Sequence, residues 1–191
     1  MADFPNLLFH NNGDGSFTEL AATTGVAGDR LWSMGASFAD VDQDGDLDLY
    51  VINYLLQSRF INNEANEVIG FRHICYGNHF YQNNGSGSFT DITLSSGADD
   101  EGCALAVTFT DIDTDGDQEL YIANDFGAWV TPNALFDQDD SQSRYLDIAD
   151  SLGLNIGIYG MGIAAGDPNA DGLFDYYITN IGPNVSNVVI K

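Results

Sequence analysis

Basic residues are scarce in this chain. Five Lys and Arg stand against 29 Asp and Glu, for a formal net charge of −24. That balance argues against a nucleic-acid partner, because phosphates are neutralised by Lys and Arg. It argues equally against a bare anionic membrane surface. No apolar run reaches the 18 residues that a membrane-spanning helix needs. Cysteine is scarce too. Cys75 and Cys103 are too few for a disulfide scaffold. One Cys75–Cys103 bridge in an oxidising compartment and two unrelated buried thiols both fit. The opening Met1-Ala2-Asp3-Phe4-Pro5 lacks the basic and apolar regions of a signal peptide. Gly-x-Ser-x-Gly, His-Glu-x-x-His and Cys-x-x-Cys strings are missing, and His10, His73 and His79 are scattered. Nothing here points to nucleophilic or zinc chemistry.

What is abundant is aspartate, 24 residues against 5 glutamates. A solvated acidic helix face would favour Glu, the better helix former. Asp suits turns and metal loops. Thirteen of the 29 carboxylates fall in three short stretches. The first is Asp40-Val-Asp42-Gln-Asp44-Gly45-Asp46-Leu-Asp48. The second is Asp111-Ile-Asp113-Thr-Asp115-Gly116-Asp117-Gln-Glu119. The third is Asp167-Pro-Asn169-Ala-Asp171-Gly172-Leu173-Phe-Asp175. Oxygen ligands at positions 1, 3, 5 and 9, with Gly at 6, suit Ca²⁺, a hard ion that takes six to eight oxygens. Packed without a cation, these carboxylates would repel one another. The expectation is up to three Ca²⁺, one per loop. The third site should be the weakest, because Asn169 replaces a carboxylate and Leu173 stands at position 7.

These loops are not EF-hands. An EF-hand closes with Glu at position 12 between two helices. Position 12 here is Val51, Ile122 or Ile178, and the flanks Leu49–Ile52 and Leu120–Ile122 are strand-like. Ligation should close at position 9, through Asp48, Glu119 and Asp175. Position 7 should offer its backbone carbonyl, which would explain why Asp46, Asp117 and Leu173 can differ. Asp-Gly turns without metal are the alternative.

The loops belong to a longer repeat. Residues 7–20 and 80–92 read as β-hairpins around Asn-Asn-Gly turns, and 135–148 reads as a degenerate third copy. Each is followed by a Gly six residues after an acidic residue: Glu19 to Gly25, Asp91 to Gly97, Asp147 to Gly153. Small-residue runs at 34–38, 103–107 and 161–165 precede the loops, and suit strands crowding toward an axis. A strand after each loop ends in Asn53, Asn124 or Asn180. The repeats span approximately 7–53, 79–124 and 134–180. The loop spacing is 71 and then 56 residues, so 54–78 is an insertion. It holds Arg59 and Arg72, two of the five basic residues.

The expected fold is all-β, with propeller blades of four-stranded antiparallel sheets. About three repeats make a partial propeller. The pattern opens and stops mid-repeat, so the chain reads as a segment of a ring.

The repeats resemble FG-GAP/VCBS repeats, the blades of integrin-alpha-type β-propellers, which carry the same calcium loop. The pairing of Asn11-Asn-Gly-Asp-Gly-Ser-Phe-Thr18 with Asp44-Gly-Asp-Leu-Asp-Leu-Tyr-Val51 looks like the ASPIC/UnbV, cartilage-acidic-protein-like group. His73-Ile-Cys75-Tyr-Gly77, Asn124-Asp-Phe-Gly127 and Pro132-Asn133 add to that. No literal Phe-Gly…Gly-Ala-Pro string occurs, and Ala39 and Thr110 precede their loops where Gly is usual. No C-terminal ASPIC/UnbV domain is present. The resemblance implies an extracellular, periplasmic or cell-surface binding or adhesion role, mostly non-enzymatic, with a protein or carbohydrate ligand. The rest of the ring would come from the parent chain or an oligomer partner. An enzyme propeller acting on polysaccharides and a plain structural spacer are the alternatives. Asp99, Asp100 and Glu101 are expected to be a solvated turn. Trp32 and Trp129, with Tyr54 and Tyr76, could stack on a sugar, although packing within blades is the plainer expectation. Asn84 and Asn184 begin glycosylation sequons.

Overall fold

Apolar strands that face neighbours on both sides organise the molecule. The computed structural model describes residues 4–139 and 144–182, and the backbone of 188–190. In chain order the strands are β1 (Phe9–Asn11), β2 (Phe17–Glu19), β3 (Ser33–Ala39), β4 (Asp48–Asn53), β5 (Leu55–Asn62), β6 (Val68–Cys75), β7 (His79–Asn83) and β8 (Phe89–Asp91). They continue with β9 (Cys103–Thr110), β10 (Glu119–Asp125), β11 (Ala134–Asp139), β12 (Arg144–Asp147), β13 (Gly160–Gly166), β14 (Asp175–Asn180) and β15 (Val188–Ile190). Three short helical turns follow the outer hairpins: α1 (Ala21–Thr24), α2 (Thr93–Ser96) and α3 (Ala149–Leu152).

The sheets are ordered β3-β4-β7-β8, β12-β11-β10-β9 and β13-β14-β15, with β1-β2 and β5-β6 as separate pairs. All pairings are antiparallel. The fold is all-β, and its four-stranded sheets are propeller blades. Each complete blade joins an inner hairpin to the outer hairpin that follows it, so blades straddle the sequence repeats. The small-residue strands β3 and β13 both lie against β9. Ala, Gly and Ser side chains let these innermost strands approach.

Alternation explains the packing. Tyr50 and Ile52 of β4 join Phe80, Leu120, Ile122, Phe136 and Tyr145 in a core between the first and second blades. Leu49, Val51 and Tyr81 face the other way, against Ala21 and Val26. On β10, Tyr121 and Ala123 meet Leu154, Ile158, Tyr176 and Ile178 of the third blade. Strands buried on both faces read as continuous apolar runs, as Leu49-Tyr-Val-Ile52 does.

The acidic residue ending each outer hairpin has a local task. Glu19 accepts the Ala21 N–H, Asp91 the Thr93 N–H and Asp147 the Ala149 N–H. Each closes the first turn of the short helix. The Gly after that helix adopts a left-handed conformation, with φ of 91° at Gly25 and 81° at Gly97. A side chain at Gly97 would also collide with the Tyr145 carbonyl, 2.6 Å away.

At the strand ends away from the loops, amides and one carboxylate are buried together. Asn53 donates its N–H to Asn78 Oδ1 at 2.7 Å and its Nδ2 to the Gly77 carbonyl at 2.8 Å. Asn78 Nδ2 and Asn124 Nδ2 donate to the two Asp100 oxygens at 3.2 and 3.3 Å. The Asn124 N–H donates to Asn133 Oδ1 at 3.0 Å. Asp100 is therefore not solvated as its turn-like surroundings led us to expect; it is 5% exposed and joins two blades. Gly102 leaves room for this contact: a Cβ there would lie 2.3 Å from the Asn124 amide.

The insertion forms a projecting hairpin, β5-β6. Cys75 and Cys103 are bonded, which ties its base to β9. His73 stacks on Phe126 with ring centroids 3.8 Å apart, and Tyr54 donates its hydroxyl to Asp125 at 2.6 Å. The two tryptophans are not packed in blades: Trp32 and Trp129 are exposed. The turn of the third outer hairpin falls partly at 140–143, and the Asn184 sequon falls at 184–186, both outside the described residues.

Candidate metal centres

Each aspartate-rich stretch connects the two inner strands of a blade: β3 to β4, β9 to β10, β13 to β14. The three loops share one backbone geometry. Position 4 has positive φ in each, at Gln43 (57°), Thr114 (65°) and Ala170 (59°). Position 6 does too, at Gly45 (93°), Gly116 (102°) and Gly172 (88°). Positive φ is costly for a β-branched or alanine side chain, on the order of 1–3 kcal/mol. Its recurrence at the same position three times marks an imposed conformation. The first two loops touch: Gln43 Nε2 donates to the Gly116 carbonyl at 3.3 Å.

In the first loop the Asp44 N–H donates to Asp40 Oδ1 at 3.1 Å, and the Gly45 N–H to Asp40 Oδ2 at 3.0 Å. The third loop repeats this, with Asp171 and Gly172 donating to Asp167 at 3.1 and 2.8 Å. Ligating oxygens of Asp40, Asp42 and Asp44 lie within 4.8 Å of one another, as do those of Asp111, Asp113 and Asp115. In the third loop Asn169 donates its amide to Asp171 at 2.9 Å, so its oxygen-only character is partly lost. In two loops the carboxylate at position 9 accepts a hydrogen bond from the N–H at position 2. Asp48 accepts the Val41 N–H at 3.2 Å, and Glu119 accepts the Ile112 N–H at 2.6 Å.

Asp48 and Glu119 are each 1% exposed. Several buried carboxylate oxygens have no protein donor: Asp111 Oδ1, Asp117 Oδ1, Glu119 Oε1 and Asp175 Oδ2. A buried acceptor without a partner is costly. Burial pushes Glu119 up to about 8 and Asp117 up to about 6, and neighbouring carboxylates add to the rise. Asp48 is raised for the same first reason, against the hydrogen bonds from Asn83 and Val41. A divalent cation would satisfy the orphaned oxygens and hold these groups ionised. The donor set, all oxygen with carboxylates dominant, fits Ca²⁺.

The side chain at the seventh position points differently in the first two loops. Asp46 leans toward the outer hairpin, where a Cβ on Gly85 would lie 2.6 Å from its Oδ2. Asp117 instead turns inward and forms a second group with Asp115 and Glu119, again within 4.8 Å. Spacing could not show this, because the side-chain direction depends on what lies opposite. Sequence reasoning also missed Gln82, which donates its amide to Asp42 at 2.7 Å from the third strand of the first blade.

A profile of the FG-GAP-like repeat matches residues 4–51 and again 62–122. The chain belongs to the FG-GAP-like repeat family. Over 50 residues it is 42% identical to human cartilage acidic protein 1, covering 26% of this chain and 8% of that protein. Over 71 residues it is 37% identical to the Xenopus tropicalis protein of the same name, covering 37% of this chain and 11% of that one. The similarity therefore spans about a tenth of those relatives. Membership explains the recurrence of hairpin and loop. Among the described residues, no helix is long and apolar enough to cross a membrane.

Proposed function

We propose that this chain is a calcium-stabilised section of a β-propeller from an extracellular, periplasmic or cell-surface protein. It presents binding surfaces to a protein or carbohydrate ligand and performs no chemistry itself. The observation that carries the calcium reading is the threefold loop backbone, with orphaned carboxylate oxygens in the second and third loops. Asp40, Asp42, Asp44 and Asp48 would hold one ion, with Asp46 at the rim. Asp111, Asp113, Asp115 and Glu119 would hold another. Asp167, Asn169, Asp171 and Asp175 would form the weakest site, with Leu173 giving only its backbone. The ion's role is structural: it pins the loop and cancels repulsion. The bonded Cys75–Cys103 pair suits an oxidising compartment.

The binding surface we favour is the β5-β6 hairpin. It is absent from the equivalent connection between β10 and β11. Phe60 is 72% exposed and sits opposite Phe71, while Arg59 sits opposite Arg72. Aromatic and Arg side chains are enriched at interfaces. Like charges facing across strands cost stability, which an anionic group on the ligand would recover. The open edge of β1, with exposed Leu7 and Phe9, is where further repeats or a partner subunit would continue the ring.

A catalytic reading has one observation to weigh. A cavity of about 690 Å³ is lined by Asp29, His79, Asp91, Asp99 and Glu101. Burial pushes Asp91 up, but hydrogen bonds from Thr93 and His79 outweigh it and leave its pKa lowered. A group held ionised in this way is a poor general acid. We therefore favour the binding role.

Calorimetric titration of the metal-stripped chain with CaCl₂ tests the reading. Binding saturating at or below about millimolar calcium, the range of extracellular modules, supports it. No heat and no change in melting temperature would remove it.

A further inference from the structure

The second loop differs from the first in four ways that point the same way. Its ligand atoms form two groups, Asp111–Asp113–Asp115 and Asp115–Asp117–Glu119, sharing Asp115. The first loop forms one, Asp40–Asp42–Asp44. The closing carboxylates also differ. Asp48 uses both oxygens on protein donors, the Val41 N–H at 3.2 Å and the Asn83 N–H at 2.7 Å. Glu119 uses one, on Ile112, and its other oxygen is buried and unpartnered at 1% residue exposure. Asp117 also has a buried unpartnered oxygen.

The residue facing the loop from the third strand of the blade is different too. Tyr81 pairs with Leu49 and Phe136 with Leu120, so Gln82 and Asp137 occupy the same place in their blades. Gln82 supplies an amide donor to Asp42 at 2.7 Å. Asp137 has no donor to give and adds a charge felt by Asp113, Asp115 and Asp117. Six carboxylates thus converge on the second loop. One divalent ion would leave four negative charges beside one another, with Glu119 buried and Asp111, Asp117 and Asp137 half-buried. Two would leave two, a balance closer to that of ordinary multi-carboxylate calcium sites.

We infer that the second loop holds two calcium ions bridged by Asp115: one on Asp111 and Asp113, the other on Asp117 and Glu119. Asp137 lies on the side of Asp113 and Asp115 and steadies the bridged pair. The inference rests on the calcium reading of the loops, takes the second loop beyond one ion, and moves Glu119 from the first ion to the second.

The test counts ions on the intact chain by native mass spectrometry in millimolar calcium. Wild type should carry one more ion than Asp117→Asn. Glu64→Gln, which removes the same charge at the hairpin tip, should lose none. Asp137→Asn should keep the fold and raise the Kd of the last-bound ion about tenfold or more, as loss of an outer partner does. A second measurement needs no variant: Mn²⁺ loaded in place of calcium should give a spin-coupled pair signal in electron paramagnetic resonance. Equal ion counts in wild type and Asp117→Asn, or only isolated Mn²⁺ signals, would overturn the inference while leaving single-ion loops intact. No bound ions in any chain would overturn the calcium reading itself.

Discussion

The two ends of each blade bury polar groups in opposite ways. At the loop end, carboxylates crowd with few donors, and oxygens of Asp111, Asp117, Glu119 and Asp175 go unpartnered. At the other end, Asn53, Asn78, Asp100, Asn124 and Asn133 satisfy most of their groups among themselves, with Asn124 Oδ1 the unpartnered exception. An amide carries both donor and acceptor, so a chain of asparagines can close on itself. Carboxylates only accept, so the loop end cannot close on itself in the same way. The lesson is that one end of the blade meets nearly all its polar needs from its own residues, and the other leaves carboxylate oxygens that a bound cation would satisfy.

Removing calcium should have the largest effect, because it strikes only the unfinished end. Each site filled at a hundredfold excess over its Kd contributes about 2.7 kcal/mol. One kcal/mol moves the melting temperature of a chain this size by about 2–4 °C. Excess chelator should therefore lower the melting temperature by roughly 15 °C or more, measured by scanning calorimetry. Breaking the Cys75–Cys103 bond by double replacement with Ser should cost less. The closed loop separates the cysteines by 28 residues, and releasing such a loop costs about 3–4 kcal/mol. That loss should be the same with and without calcium, since the bond lies away from the loops.

Asn124→Ala should come next, at about 2–3 kcal/mol, because it strands the Asp100 oxygen and the Pro132 carbonyl that the amide serves. Chemical denaturation should again give the same loss in calcium and in chelator. A loss that depended on calcium would show that the two ends are not independent.

The pH dependence of stability should also change with calcium. In the absence of calcium Glu119 moves from a usual 4.5 to about 8 on folding, and Asp117 from 3.8 to about 6, chiefly through burial. The folded state then binds more protons than the unfolded state between those values. Stability falls as pH rises wherever the folded state holds the extra protons. Metal-stripped protein should therefore lose stability from about pH 5 to pH 8. Calcium should flatten or reverse this slope, because a bound ion holds the carboxylates ionised in the folded state. Melting curves across that range, with and without calcium, check it.

The sequence carried the loops well, because Asp at alternate positions with Gly at 6 is a local constraint that needs no knowledge of neighbours. It carried the strand character of Leu49–Ile52 and Leu120–Ile122 for the same reason. It did not carry what depends on residues far along the chain. The blade boundaries follow from Tyr50 pairing with Phe80 of the next repeat as well as with Ser37 of its own. Asp100 looked like a surface turn because its partners, Asn78 and Asn124, are 22 and 24 residues away. The Cys75–Cys103 pairing was open for a similar reason. The inward turn of Asp117 is a matter of side-chain direction, on which spacing is silent.

Hydrogen exchange resolved to single amides tests the difference between the two ends most directly. The account predicts that calcium strongly slows exchange at the loop amides of Asp44, Gly45, Asp115 and Gly172. It predicts that the amides of Asn53 and Asn124, already donated to Asn78 and Asn133, are protected with or without the ion. Equal calcium dependence at both ends, or none at the loops, would contradict it.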